Sequence, residues 1–171
     1  MTETTPGVVV AALYRFARFP EFESFRQPLL DCLLAAEVRG TLLLATEGIN
    51  GTIAGPRAGI DRVLGFLRQD SRFAGLEVKE SYVDENPFYR TKVKLKKEII
   101  SLGLDEIRPA VSTGERISPT EFKQMLDDGE EVVILDTRND YETRVGKFEN
   151  AVELDITTFR QFPEAANELP E

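Results

Sequence analysis

The sequence has no histidine and no tryptophan among its 171 residues, and a single cysteine, Cys32. Without histidine it lacks the side chain that most often serves as general base near neutral pH, and the commonest metal ligand. One cysteine excludes an internal disulfide and any cysteine-cluster zinc or iron–sulfur site, and fits a reducing compartment. No metal site and no cofactor is evident. Long apolar runs are also missing. No stretch reaches the ~18 residues that a membrane helix needs. The N-terminus has no basic region, and its apolar run is too short for a secretory signal. The expectation is a cytoplasmic protein with no membrane partner. With 42% hydrophobic side chains, the chain can bury one good core or two small ones.

What charge there is falls unevenly. The net charge is −9, yet residues 1–117 carry 16 acidic and 16 basic side chains, whereas residues 118–171 carry 14 acidic and 5 basic. The two parts present different fields. Turn-forming residues at 112–118 (STGERIS) suggest a boundary there, giving domains 1–111 and 112–171. Any nucleic acid should bind the first and be repelled by the second.

Within the neutral part, five cations fall in eight residues: Arg90, Lys92, Lys94, Lys96 and Lys97. Residues 91–100 read as a strand, and the alternation over 91–95 sets Lys92, Lys94 and Lys96 on one face with Val93 and Leu95 turned into a core. Such a row suits a polyanion. It equally suits a solvated face, or an edge strand guarded by lysine. Tyr82, Phe88 and Tyr89 flank the row and could stack on bases, or simply pack at its rim. Pro87 keeps their linker extended.

The elements before this row read as strand 7–16, a helix from Phe22 with Pro28 as an interruption, strand 40–45, a hairpin at Asn50-Gly51, a return strand beginning at 52–54, a helix through Ile60, Val63, Leu64 and Leu67, and strand 76–83. The order β-α-β-β-α-β plus one strand predicts a ferredoxin-like, acylphosphatase-like antiparallel sheet with both helices on one face. The opposite face must be covered or used. An acylphosphatase would need a glycine-bearing phosphate loop after the first strand, and 17–20 (ARFP) has no glycine. The turn at 47–51 could set amides against a phosphate, or be a bare hairpin.

The acidic part opens on Ser118-Pro119-Thr120-Glu121, a capping box with proline at the first helical position. Phe122, Met125 and Leu126 form the apolar stripe. Residues 132–135 (VVIL) predict a strand buried in a parallel sheet. Asp136 and Arg138 stand at its C-terminal end, where open α/β sheets place their sites. No further strong strand follows. Cys32 lies on the apolar stripe of the first helix, which predicts a buried, inert thiol.

The blocks at 40–55 (GTLLLATEGINGTIAG) and 78–103 (VKESYVDENPFYRTKVKLKKEIISLG) resemble the N-terminal domain of the bacterial rhodanese-domain-containing tRNA uridine hydroxylases, the UPF0176-like group. Residues 117–164 look like the opening half of their rhodanese domain, so the similarity runs over about 8–164. The resemblance implies oxygen-dependent hydroxylation of the wobble uridine of tRNA to 5-hydroxyuridine, with molecular oxygen as co-substrate and tRNA as partner. It implies an α+β chain: a ferredoxin-like tRNA-binding domain followed by the truncated first half of an α/β rhodanese-like domain. The family's essential cysteine lies in a later loop of the type CTGGIRCE. That loop is not in this sequence, and Cys32 is not its equivalent, so no catalytic residue is expected here. Asp136 and Arg138 would support the active-site loop, or form a local ion pair with Asp140 or Glu142. Tyr89, Arg90, Lys92, Lys94, Lys96 and Lys97 would hold the tRNA. The alternatives are a rhodanese-type thiosulfate or persulfide sulfurtransferase, which needs no RNA surface, and a non-catalytic RNA-binding module.

Overall fold

A computed structural model describes residues 7–100 and 114–169. The chain divides into two compact units, Met1–Ile100 and Ser101–Glu171. The boundary expected at 112–118 begins within residues 101–113, outside the described residues.

In the first unit, β1 (Val8–Phe16), α1 (Phe22–Ala35), β2 (Arg39–Ala45), β3 (Gly48–Gly55), α2 (Arg57–Arg68), β4 (Glu77–Val83) and β5 (Thr91–Leu95) follow one another. The strands make one sheet in the order β4-β1-β3-β2-β5. The first four are antiparallel neighbours in ferredoxin-like order. The added strand β5 runs parallel to β2, so the sheet is not wholly antiparallel.

Both helices owe their place to their apolar stripes. On α1, Leu29 and Leu33 are buried; on α2, Ile60, Val63, Leu64 and Leu67 are buried. They pack on Val9, Ala11, Leu13, Leu42, Leu44, Ile49, Ile53 and Val93 of the sheet. Phe19, Phe25 and Phe73 close one end with ring centroids 5.1–6.0 Å apart. Pro28 neither starts nor ends α1, which runs through it. Residue Arg26 of this helix donates Nε to Val93 O at 3.1 Å, tying α1 to β5. Burying the Val93 side chain contributes about 1.5–3 kcal/mol.

Leu95 departs from expectation. It is 39% exposed, because at this edge the helical layer covers Val93 and not its neighbour two residues on. The strand also ends at Leu95 rather than at 100, although Lys96 N still donates to Leu44 O at 2.8 Å.

The hairpin is not at Asn50-Gly51. β2 and β3 are joined by Thr46-Glu47, and Asn50 and Gly51 lie inside β3. Their glycine signal has another cause. Gly51 has φ +154°, and a Cβ there would stand 2.1 Å from Thr41 O; at Gly48, with φ +138°, it would stand 2.0 Å from Arg15 O. Glycine marks close backbone approach in the sheet, not its turn.

The second unit contains α3 (Pro119–Asp127), β6 (Leu135–Asp136), α4 (Asp140–Thr143), β7 (Val152–Glu153) and α5 (Phe162–Asn167). The Ser118–Glu121 capping box forms as expected. The strand expected at 132–135 shrinks to two residues and Val133 is 84% exposed. It does have a parallel partner, β7, which the sequence pattern does not reveal. Among the described residues only Ala151, Ile156 and Thr143 are buried in this unit.

Candidate nucleic-acid interface

The sheet register fixes what lies on the face away from the helices. Ala11, Leu13, Leu42 and Val93 point to the helical layer, so their neighbours in sequence point away from it. One rung across that face reads Lys79, Ala12, Thr52, Thr41, Lys92. The next reads Glu77, Tyr14, Asn50, Leu43, Lys94. Uncharged side chains form the middle and a cationic strand forms one edge. The only carboxylate of these two rungs, Glu77, accepts a hydrogen bond from Tyr14 Oη at 2.7 Å.

Lys92, Lys94, Lys96 and Lys97 are all exposed. Arg39 joins them, because it opens β2 with the parity of Thr41 and Leu43. Neither Arg39 nor Lys79 was foreseen. The alternation Arg39, Thr41, Leu43 against Gly40, Leu42, Leu44 was the available signal. It could be used only once the sidedness of the sheet was known.

Residues 84–90 lead from β4 to β5 at the far edge. Asn86 Nδ2 donates to Ala54 O at 2.9 Å, and Phe88 N to Asn86 Oδ1 at 2.9 Å. Gly40 N donates to Arg90 O at 2.9 Å, and Thr91 Oγ1 to Val38 O at 2.9 Å. Between these fixed points Tyr89 stands 94% exposed. A depression of about 280 Å³ is lined by Thr41, Phe88, Tyr89, Arg90 and Lys92. The structure thus brings Tyr89 and Arg90 together with the lysine row. Tyr82 does not join them. It lies on β4, at the opposite edge, and pairs with Val9 on the helical side.

The amides from Gly48 to Gly51 belong to the ladder of β3, so the phosphate-cradling alternative for 47–51 fails there. The loop after β1 is similarly occupied: Ala17 N donates to Glu47 O at 2.9 Å and Phe19 N to Thr46 O at 2.7 Å. Those two amides are not available to an anion.

Cys32 is half-buried rather than buried, in a groove between α1 and α2 lined also by Asp31, Arg62 and Phe66. Loss of hydration pushes its thiol above the ordinary value. Among the described residues no cluster of histidine, cysteine, aspartate or glutamate could hold a metal, and no helix is long and apolar enough to cross a membrane.

In the second unit, Asp136 and Arg138 pair with each other rather than with Asp140 or Glu142. Arg138 Nη2 lies 2.6 Å from Asp136 Oδ2 and also donates to Gly146 O at 2.7 Å. Arg138 N donates to Asp136 Oδ1 at 3.1 Å. The guanidinium holds the Asp136 carboxyl below its ordinary value. Asp140 instead pairs with Arg144 at 2.5 Å. Asp136 and Arg138 therefore brace the loop from β6 to Gly146.

Residues 8–99 match the model of the UPF0176 acylphosphatase-like domain. Solved structures similar to the chain include an acylphosphatase from Coxiella burnetii, at 11% identity over 55% of this chain and 100% of that one, with a TM-score of 0.38. Full-length HypF in its phosphate- and nucleotide-bound form gives 14% identity, 57% of this chain and a TM-score of 0.43; this chain spans 13% of that one. BlrB, a BLUF protein in its dark state, gives 16% identity over 72% of this chain and 98% of that one, with a TM-score of 0.42.

Proposed function

This chain belongs to the UPF0176 family, and from that premise we propose that the protein carrying it hydroxylates the wobble uridine of tRNA to 5-hydroxyuridine, with molecular oxygen as co-substrate. The role of residues 8–99 is to hold the tRNA. The observation that carries this reading is the cationic edge strand of the sheet, with Lys92, Lys94 and Lys96 on the face away from α1 and α2 and Lys97 after them, all exposed and without an ion-pair partner among the described residues. A polyanion gains from such a row on a rigid support, because each phosphate it neutralises releases condensed counterions. A sulfurtransferase carrying sulfur on a cysteine has no use for it. The sequence's one thiol, Cys32, is held above its ordinary pKa in the groove between α1 and α2, away from this face.

The test is mass spectrometry of total tRNA nucleosides from cells whose own copy of the gene is deleted. Reintroducing the natural gene should restore 5-hydroxyuridine. The Lys92→Glu/Lys94→Glu/Lys96→Glu gene should restore little, at equal protein level. Full restoration by the triple variant would contradict the proposal.

A further inference from the structure

Resting on the reading of this face as an RNA surface, we propose that its Arg90 end takes an unpaired nucleotide of a single-stranded segment, with the base lying on Tyr89 and the backbone running along Lys92, Lys94 and Lys96.

Three observations point to a single strand. The first is Tyr89 itself. It is 94% exposed and makes no hydrogen bond, ring contact or ion pair among the described residues. Yet its backbone is not loose: Asn86 is bonded to Ala54, Phe88 to Asn86, and Arg90 to Gly40. An aromatic ring held out into water on a fixed backbone loses little entropy when a base stacks on it. In a duplex the bases are already stacked on each other, so such a ring would find no partner.

The second is the shape beside it. The depression of about 280 Å³ is lined by two aromatic rings, Phe88 and Tyr89, a threonine of the sheet, Thr41, and two cations, Arg90 and Lys92. That is the chemistry of one nucleotide: a flat base, a hydroxyl-bearing sugar and a charged phosphate. An acidic peptide would pair with Arg90 and Lys92 but has nothing for Tyr89.

The third is spacing. Alternate residues of a strand stand about 6.6 Å apart, a step close to that between successive phosphates of an extended single strand. Lys96 keeps that spacing because its amide stays in the ladder with Leu44 O. Stacking is available to every base, so little base preference is expected.

The experiment uses the full chain and fluorescence anisotropy with three labelled RNAs of about eight nucleotides: single-stranded oligouridylate, single-stranded oligoadenylate and a blunt duplex. Tyr89→Ala should weaken oligouridylate binding about tenfold and leave duplex binding unchanged, while Tyr89→Phe should bind as the natural chain does. Oligoadenylate should behave as oligouridylate does. Tyr89 is at the surface, so circular dichroism should show folding unchanged. If Tyr89→Ala binds oligouridylate normally, or weakens oligouridylate and duplex binding equally, the inference is overturned. If it does so while the triple lysine-to-glutamate variant still loses both, the RNA reading stands without it. If the triple variant also binds both normally, both readings fall.

Discussion

Asn50, in the middle of β3, donates Nδ2 to the carbonyl of Ile99 at 2.9 Å, across 49 residues of sequence. Glu47, in the turn before β3, accepts from the amide of the same residue at 2.5 Å. Both backbone polar groups of Ile99 are thus satisfied by side chains of one hairpin, and its own side chain is 2% exposed. Buried backbone groups must be paired somewhere. Here the pairing straps the segment after β5 to the hairpin of β2 and β3.

Asn50→Ala should therefore cost about 1–2 kcal/mol, the penalty for leaving a part-buried carbonyl unpaired. Urea unfolding would measure it. Hydrogen exchange should show faster loss of the Ile99 amide than of the Leu44 or Ile53 amides. Uniform exchange across all three would mean that the strap is held by something else.

Gly48→Ala should be far more damaging than its exposure to chemistry suggests. The new Cβ would meet Arg15 O at 2.0 Å, on a backbone at φ +138°. A loss of at least about 2 kcal/mol is expected from backbone strain. Gly65→Ala, where nothing lies within 4 Å of the added carbon, should stabilise or be neutral. Thermal unfolding of the two variants side by side checks the contrast.

These glycine positions show where the sequence could and could not be read. The helices over Ile60–Leu67 and Leu29–Leu33 were legible because a 3.6-residue stripe states which side is buried. β1, β2 and β4 were legible from β-branched and apolar runs, and of β3 only the half from Thr52 onward. Asn50-Gly51 misled because a glycine needed for close approach between strands looks the same as one needed for a turn. Leu95 misled because period 2 tells parity, not how far a helix reaches over an edge. In the candidate site, the lysine row and Tyr89 stood out as a local pattern. Arg39 and Lys79 did not, since their place on the same face depends on pairing between strands distant in sequence. The partner strand of β6 was invisible because two residues carry no period.

Acid should remove a specific bond network. Arg72 pairs with Asp70 at 2.7 Å and Glu21 at 2.6 Å, and lies 4.6 Å over the Phe19 ring. Hydrogen bonds from its guanidinium hold both carboxyls below their ordinary values of 3.8 and 4.5. A depressed carboxyl stabilises the fold above its unfolded pKa, and that contribution is lost as pH falls through the folded one. Arg72→Met should thus be less stable than the natural chain at about pH 6, with the gap narrowing towards about pH 3. Denaturant midpoints across that range check it. A gap independent of pH would assign the role of Arg72 to packing on Phe19 alone.

Cys32 should behave as an inert thiol. Its raised pKa and half-buried place predict slower alkylation by iodoacetamide at pH 8 than free cysteine shows. Cys32→Ser should leave the affinity for tRNA unchanged, because the groove that holds it lies between α1 and α2, away from the lysine row; weaker binding by the variant would contradict this.

Whether Lys92, Lys94 and Lys96 hold RNA is decided by the affinity of tRNA for the natural chain and for Lys92→Glu/Lys94→Glu/Lys96→Glu, measured across a salt series. The substitutions leave Val93 and its buried side chain untouched, so both proteins should unfold at similar denaturant concentrations. The natural chain should bind tightly and with a steep salt dependence. The triple variant should bind much more weakly, with a log–log salt slope shallower by about 2–3, roughly one unit for each phosphate that a lysine no longer neutralises. Equal affinity and equal slope in the two proteins would contradict that RNA-binding role and leave the lysine row as a solvated strand face.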